Sequence, residues 1–294
     1  MEIRAEYISK SFAGRKVVKD VSFTIEQGRC VALIGPNGAG KTTLLHMLVG
    51  LIESDGGTIS YHRDNNWRNK IGFLPQIPAF YGWMTANEYL RFTGKLAHVD
   101  SSTLKDRIST VLQLTGIEDA ANRKIQGFSG GMKQRLGLAQ ALLHKPSFLI
   151  LDEPVSALDP VGRRDVMKLL NELRKTTTII YSTHILHDAE EISDDIFLMR
   201  EGEIVARGTL EELLSQATKN YSIRAANPLP KELSQCDFIK EIYMVGDCSA
   251  EIILHPSGKK EDLLRWCLDH HVDIVHFHQG KQTLESVFME VVHS

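Results

Sequence analysis

The sequence predicts an α/β fold followed by a smaller α+β part. Three short, almost wholly apolar runs, "RCVALIG", "SFLILDEP" and "TTTIIYSTH", are separated by stretches of helical periodicity. That is the pattern of strands buried on both faces of a sheet and joined by helical crossovers. The first run ends in a glycine-rich turn, "GPNGAGKT", which leads straight into the helical "KTTLLHMLVGL". Beyond about Gln216 the text changes to short alternating strands and short amphipathic helices. A chain of 294 residues accommodates one large or two ordinary domains. The boundary is placed to give residues 1–216 and 217–294.

Each element follows from local pattern. The opening runs "EIRAEYIS" and "VVKDVSFTIEQG" alternate apolar and polar residues, as half-buried antiparallel strands do. From Thr85 to about Lys145 the chain reads as helices, "TANEYLRFTGKLA", "LKDRISTVLQLTG" and "GMKQRLGLAQALLH", which places a helical subdomain at about 77–145. "RRDVMKLLNELRK" is an amphipathic helix, and "EISDDIFLMREGEIVARGT" a helix end and a hairpin turning at Glu201-Gly202. In the second part "YSIRA", "FIKEIYMVGD", "SAEIILHP" and "VDIVHFH" read as strands. "PKELSQ", "KEDLLRWCLDH" and "LESVFMEVV" read as helices. The order β-α-β-β-α-β-α suggests a small ferredoxin-like domain.

Composition narrows the function. Lys plus Arg number 34 against 37 Asp plus Glu, without the basic excess of a nucleic-acid binder. Cys30, Cys236, Cys248 and Cys267 form no CxxC pair and no zinc spacing, which suits a reduced, cytosolic compartment. His270, His271, His276 and His278 cluster, but no Cys or carboxylate completes a tetrahedral set, and a solvated strand end is the simpler reading. No apolar run approaches the roughly 20 residues that span a bilayer, and "MEIRAEYISKSF" is too polar for a secretory signal. Any work at a membrane calls for a partner.

"GPNGAGKT" fits the P-loop pattern in the required strand-to-helix context. Gly35, Gly38 and Gly40, with Pro36, Asn37 and Ala39 between them, let backbone N–H groups converge on a phosphate chain. Lys41 reaches the β- and γ-phosphates, Thr42 offers its hydroxyl to Mg²⁺, and Thr43 continues the helix start. Asp152 closes the apolar strand "FLILDEP", where it can hold the metal or its water. Glu153 beside it can polarise an attacking water. A second turn, Ser129-Gly130-Gly131 in "QGFSGGMKQRLGLAQALL", also opens a helix, and such a helix start is an anion site. In isolation it reads as a helix cap. The chain thus carries two phosphate-gripping turns and one complete nucleotide pocket.

These motifs resemble those of the nucleotide-binding subunit of an ATP-binding cassette (ABC) transporter. "GPNGAGKT", Gln76 in "FLPQ", "FSGGM", "FLILDE", "SALD" and His184 in "YSTH" stand in family order, and the resemblance covers about residues 1 to 215. It implies a RecA-like core, an antiparallel β subdomain and an α-helical subdomain. It implies ATP and Mg²⁺ as ligands, with two cassettes, either identical or sister chains, paired head to tail. Ser129 and Gly131 would then bind the partner's ATP, which answers for the second turn. Phe12 would stack on adenine, Gln76 contact Mg²⁺ and the attacking water, His184 contact the γ-phosphate, Asp159 orient the dimer interface, and Glu153 act as general base.

The chain departs from the common family form at two places. Phe128 and Met132 stand where the usual signature has Leu and Gln, but the Ser-Gly-Gly is intact; and position 12 is Phe rather than Tyr, which keeps the ring face. "TLESVFMEV" near the end is similar to the "SLEDVF" ending of drug, antibiotic and bacteriocin exporters. Phe80, Tyr81 and Trp83 beside Gln76 suit docking of a membrane subunit, or pack inside the helical subdomain. The expected function is the ATP-hydrolysing motor of an exporter. It would be held on the inner face of the cell membrane by a permease partner, with no nucleic acid bound. An importer subunit and a soluble ABC ATPase are the alternatives. The single P-loop, and about 90 residues without sustained heptads between P-loop and signature, disfavour the soluble kinds.

Overall fold

The computed structural model describes residues 2–61, 66–216, 220–255, 257–280 and 283–293. The chain divides into two compact units, Met1–Thr209 and Leu210–Ser294. The division counts the helix Leu210–Gln216 with the second unit, where the sequence reading ended the first domain. The proposed junction at residues 217–219 lies outside the described residues.

The first unit is built on a six-stranded sheet in the order β5-β6-β7-β3-β8-β9. Its strands are β3 (Cys30–Ile34), β5 (Ile71–Leu74), β6 (Phe148–Asp152), β7 (Thr178–Thr183), β8 (Asp195–Arg200) and β9 (Glu203–Gly208). All pair in parallel except β9, which returns from β8 as the hairpin read from the sequence. Every residue of β3, β6 and β7 is buried, as the apolar runs require. Each fully buried Leu or Ile there contributes roughly 1.5–3 kcal/mol. β1 (Ile3–Phe12), β2 (Arg15–Ile25) and β4 (Gly56–Tyr61) form a separate antiparallel sheet, β2-β1-β4. The sequence reading did not name β4 or β5. β5 is only four residues long, too short for periodicity to register.

Around these sheets lie α1 (Lys41–Val49), α2 (Ala86–Leu96), α3 (Ser101–Leu114), α4 (Gly130–Leu142), α5 (Pro160–Leu173) and α6 (Leu186–Ile192). α2 starts in a capping box in which the Thr85 hydroxyl accepts the Glu88 N–H and the Glu88 carboxylate accepts the Thr85 N–H. α5 starts with the Asp159 carboxylate accepting the Gly162 N–H at 2.9 Å, with proline as its first helical residue. One residue joins the two sheets behind the P-loop: the Gly202 N–H donates to the Ala39 carbonyl at 2.9 Å, and the Gly202 carbonyl accepts the Lys19 N–H at 2.8 Å. Gly202 has φ 90°, and a Cβ there would meet the Val17 carbonyl oxygen at 2.6 Å, so only glycine serves.

The second unit contains α7 (Leu210–Gln216), β10 (Asn220–Ala225), β11 (Ile239–Met244), β12 (Ser249–Leu254), α8 (Lys260–Asp269), β13 (Ile274–Gln279) and α9 (Leu284–His293). Its four strands form an antiparallel sheet in the order β11-β12-β10-β13. One face carries a core of Tyr221, Ile223, Ile252, Leu254, Leu263 and Cys267, among others. The segment read as the helix "PKELSQ" is a 3₁₀ turn, Lys231–Gln235: five residues starting behind Pro230 are too few to propagate an α-helix. His276 and His278 lie exposed on β13, and His270 stacks on Trp266 at 3.9 Å. Among the described residues no group of three or more His, Cys, Asp or Glu is placed to hold a metal ion.

Candidate nucleotide site

The site lies at the carboxyl ends of β3, β6 and β7, where open α/β sheets bind ligands. β6, β7 and β3 are adjacent in the sheet, so three sequence-distant turns meet. In register, Asp152 stands beside Ser182 and Ile34 beside Thr183. The turn after β3 wraps into α1 through Gly40, whose φ is 105° and where a Cβ would meet the Val17 carbonyl oxygen at 2.6 Å. A cavity of about 300 Å³ is lined by Val17, Asn37, Gly38, Gly40, Lys41, Thr42, Thr43, Gln76 and Glu153. It unites the P-loop with Gln76 and Glu153, as the sequence reading grouped them.

Lys41 is buried, and its Nζ donates to the Gly35 carbonyl at 2.7 Å and the Pro36 carbonyl at 3.1 Å. Burial pulls its ammonium pKa below the usual lysine range, partly offset by the negative fields of Glu153 and Asp152. Asp152 is 1% exposed. Its Oδ1 accepts the Ser182 hydroxyl at 2.6 Å, while Oδ2 is buried without a hydrogen-bond partner. An orphaned carboxylate oxygen costs a few kcal/mol at this depth. An oxygen donor left open beside a threonine-bearing P-loop suits a hard divalent cation. Thr42, Asp152 and Gln76 therefore fit an Mg²⁺ site.

Glu153 is 8% exposed, and its Oε1 lies 3.3 Å from His184 Nδ1. Its φ is 47°, a left-handed conformation that costs on the order of 1–3 kcal/mol for a residue with a side chain. Phe12 is half exposed at the end of β1, outside the lining of this cavity, with Lys10 Nζ 5.8 Å from its ring centre.

The signature turn lies apart from the P-loop cavity. Ser129, Gly130, Gly131 and Met132 line a different groove of about 730 Å³, together with Ala157, Leu158 and Asp159. The Ser129 hydroxyl accepts the Met132 N–H at 3.2 Å, a helix cap of the kind that contributes about 1 kcal/mol. Phe128 is buried as an apolar anchor. Of the three rings beside Gln76, Phe80 is half-buried edge-on to Tyr89 with ring centres 5.0 Å apart, whereas Tyr81 and Trp83 are exposed.

Two buried polar side chains that reach these groups had no role in the sequence reading, although both sit inside motifs that it quotes. Ser182 is wholly buried, and Gln134 is 2% exposed. A serine inside the apolar run "TTTIIYSTH" was the available signal.

The family model described as ABC transporter matches residues 18–156. YxlF of Bacillus subtilis (strain 168), named an uncharacterized ABC transporter ATP-binding protein, is 44% identical over 98% of this chain and 99% of its own length. The linearmycin resistance ATP-binding protein LnrL of the same organism is 32% identical over 98% of this chain and 97% of its own. The bacitracin transport ATP-binding protein BcrA of Bacillus licheniformis is 30% identical over 99% and 97%. Among solved structures, an ATP-binding subunit of an ABC transporter matches with a TM-score of 0.68 and 30% identity, over 74% of this chain and 93% of its own. A dimeric ATP-binding cassette bound to ADP and Pi matches with a TM-score of 0.66 and 25% identity, over 71% and 98%.

Proposed function

This chain belongs to the ABC transporter family as an ATP-binding subunit, and on that premise we propose that it is the ATP-hydrolysing motor of an exporter. The observation that carries the reading is the shared cavity of Lys41, Thr42, Gln76 and Glu153, set apart from the groove of the signature turn. The exporter direction draws support from the two relatives named for bacitracin transport and linearmycin resistance, which the chain matches along nearly its whole length.

In this reading the P-loop backbone cradles the phosphates of ATP, and Phe12 offers its ring face to the base. Lys41 exchanges its two carbonyl partners for phosphate oxygens. Thr42, Gln76 and the free Asp152 oxygen hold Mg²⁺, which when bound neutralises charge on the phosphates. Glu153 takes a proton from the water that attacks the γ-phosphorus, while the bond to the bridging oxygen breaks to leave ADP and phosphate. His184, against Glu153, contacts the γ-phosphate. Ser129 and Gly131 act on the nucleotide of a second cassette, identical or sister, paired head to tail, with Asp159 at that interface.

Among the described residues no helix is long and apolar enough to cross a membrane. We place the chain on the inner face of the membrane through a permease, which docks beside Gln76 where Ile77, Tyr81 and Trp83 are exposed. Glu153→Gln is the direct test. Nucleotide binding should stay within about 3-fold of the parent while turnover falls about 100-fold or more. Turnover at the parental rate would overturn the reading.

A further inference from the structure

Among the described residues, non-glycine side chains with positive φ stand at Tyr7, Ala13, Asp20, His98, Lys145, Glu201 and His271, all exposed, and at Glu153, which is buried. A left-handed conformation at a buried, side-chain-bearing residue persists only where its surroundings over-determine it. The Glu153 peptide groups are held from two sides. On the N–H side, Ser182 in β7 accepts the Glu153 N–H at 2.8 Å and donates its hydroxyl to Asp152 Oδ1 at 2.6 Å. One buried hydroxyl therefore fixes the backbone of Glu153 and the carboxylate of Asp152 together. It also leaves the second Asp152 oxygen open. On the carbonyl side, Gln134 Nε2 donates to the Glu153 oxygen at 3.2 Å. That oxygen also accepts the Ser156 N–H at 3.2 Å and hydroxyl at 3.1 Å. Gln134 stands on α4, whose N-terminus is the Ser129-Gly130-Gly131 turn.

We infer that Ser182 and Gln134 are positioning residues for Glu153, and that Gln134 ties the Glu153 backbone to the helix of the chain's own signature turn. The inference rests on the reading of Glu153 as general base. Its consequence is specific. The turn that grips a partner's nucleotide shares a rigid helix with a side chain bonded to the general base of its own pocket. Engagement at one composite site then bears on the alignment of the base at the other. Ser182 has the larger effect, because it alone holds the N–H side. Gln134 is one of three donors to the carbonyl.

The test compares Ser182→Ala, Ser182→Thr and Gln134→Leu, each alone and with Glu153→Ala, by steady-state and single-turnover ATP hydrolysis, nucleotide binding and thermal unfolding. Misplacing a catalytic group by about 1 Å can cost about 100-fold. On that scale Ser182→Ala should lower kcat about 100-fold and Gln134→Leu about 10-fold, with KM and nucleotide affinity within about 3-fold. Ser182→Thr, which keeps the hydroxyl, should restore most of the rate. With Glu153→Ala, Gln134→Leu, which touches Glu153 and not Asp152, should not lower the residual rate further, which a merely structural defect would not spare. Parental kcat in folded Ser182→Ala and Gln134→Leu, or a further loss when Gln134→Leu is added to Glu153→Ala, overturns the inference and leaves Glu153 as the base. Loss confined to Ser182→Ala overturns the link to the signature helix. If Ser182→Ala fails to fold, Gln134→Leu decides alone. Parental turnover in Glu153→Ala overturns the base assignment and the inference with it.

Discussion

The P-loop and the signature turn both lead into the N-terminus of a helix, yet the surroundings of the two differ. At the P-loop, Lys41 is buried with its ammonium held by two carbonyls, and Thr42, Gln76 and Glu153 face the same cavity. At the signature, the serine hydroxyl caps its own helix and the groove around it contains no lysine and none of the carboxylates of β6. An anion-binding helix end becomes a nucleotide pocket only where a cation, a metal donor and a base converge on it. The P-loop has that company within this chain. The signature groove has Arg123, Arg135 and three aspartates but neither a P-loop lysine nor the β6 carboxylates, and in the function proposed above it is half of a site shared with a second cassette.

The largest expected effect sets the two turns directly against each other. Lys41→Ala should abolish nucleotide binding by the isolated chain, whereas Ser129→Arg should leave that binding intact and stop turnover. Equilibrium binding and hydrolysis measured on both variants check this, and equal loss of binding in both would break the contrast. Mixing the two variants sharpens it. One composite site of the mixed dimer combines both lesions, and the other combines an intact P-loop with an intact signature turn. Nucleotide trapping, and hydrolysis up to about half the parental rate if the two sites act independently, should reappear only in the mixture. A mixed dimer that traps no nucleotide would leave the signature turn a helix cap.

A smaller effect concerns protons. Burial lowers the Lys41 pKa in the free protein, and arriving phosphate charge raises it. Between the two values, binding must take up protons. Calorimetry in alkaline buffers of different ionisation enthalpy should show uptake by the parent and by Ser129→Arg. Ending the chain after Gln216 should matter least. Neither turn lies in the second unit, so the shortened chain should unfold cooperatively and bind nucleotide within about 3-fold of the parent. Loss of folding would show that the two parts share a core.

How legible these features were in the sequence depended on whether a residue's role is local. "GPNGAGKT" between an apolar strand and a helix states its conformation in its own glycines, and Asp152 and Glu153 close a run too apolar to be anything but a buried strand. β5 escaped notice because four residues carry no period, and "PKELSQ" was over-read because a single turn of helical text does not distinguish an α-helix from a 3₁₀ turn. Ser182 and Gln134 escaped for a different reason. Their importance lies in a partner, the Glu153 peptide, that is 29 and 19 residues away in sequence and reached only after the sheet and α4 have packed. Side-chain-to-backbone bonds of that range leave no spacing to read.

Gly202 joins the P-loop at Ala39 to β2 at Lys19 through its N–H and its carbonyl. β2 in turn pairs with β1, whose last residue is Phe12. In the function proposed above, where Phe12 takes the base and the P-loop the phosphates, the distance between the two is gauged by that hairpin, so that a nucleotide would be measured along its length as well as gripped at its ends. The tip of β1 can exchange one flat ring for another without recalibrating the cradle, whereas a side chain at position 202 would lengthen the gauge and put both ends out of reach of a single ligand.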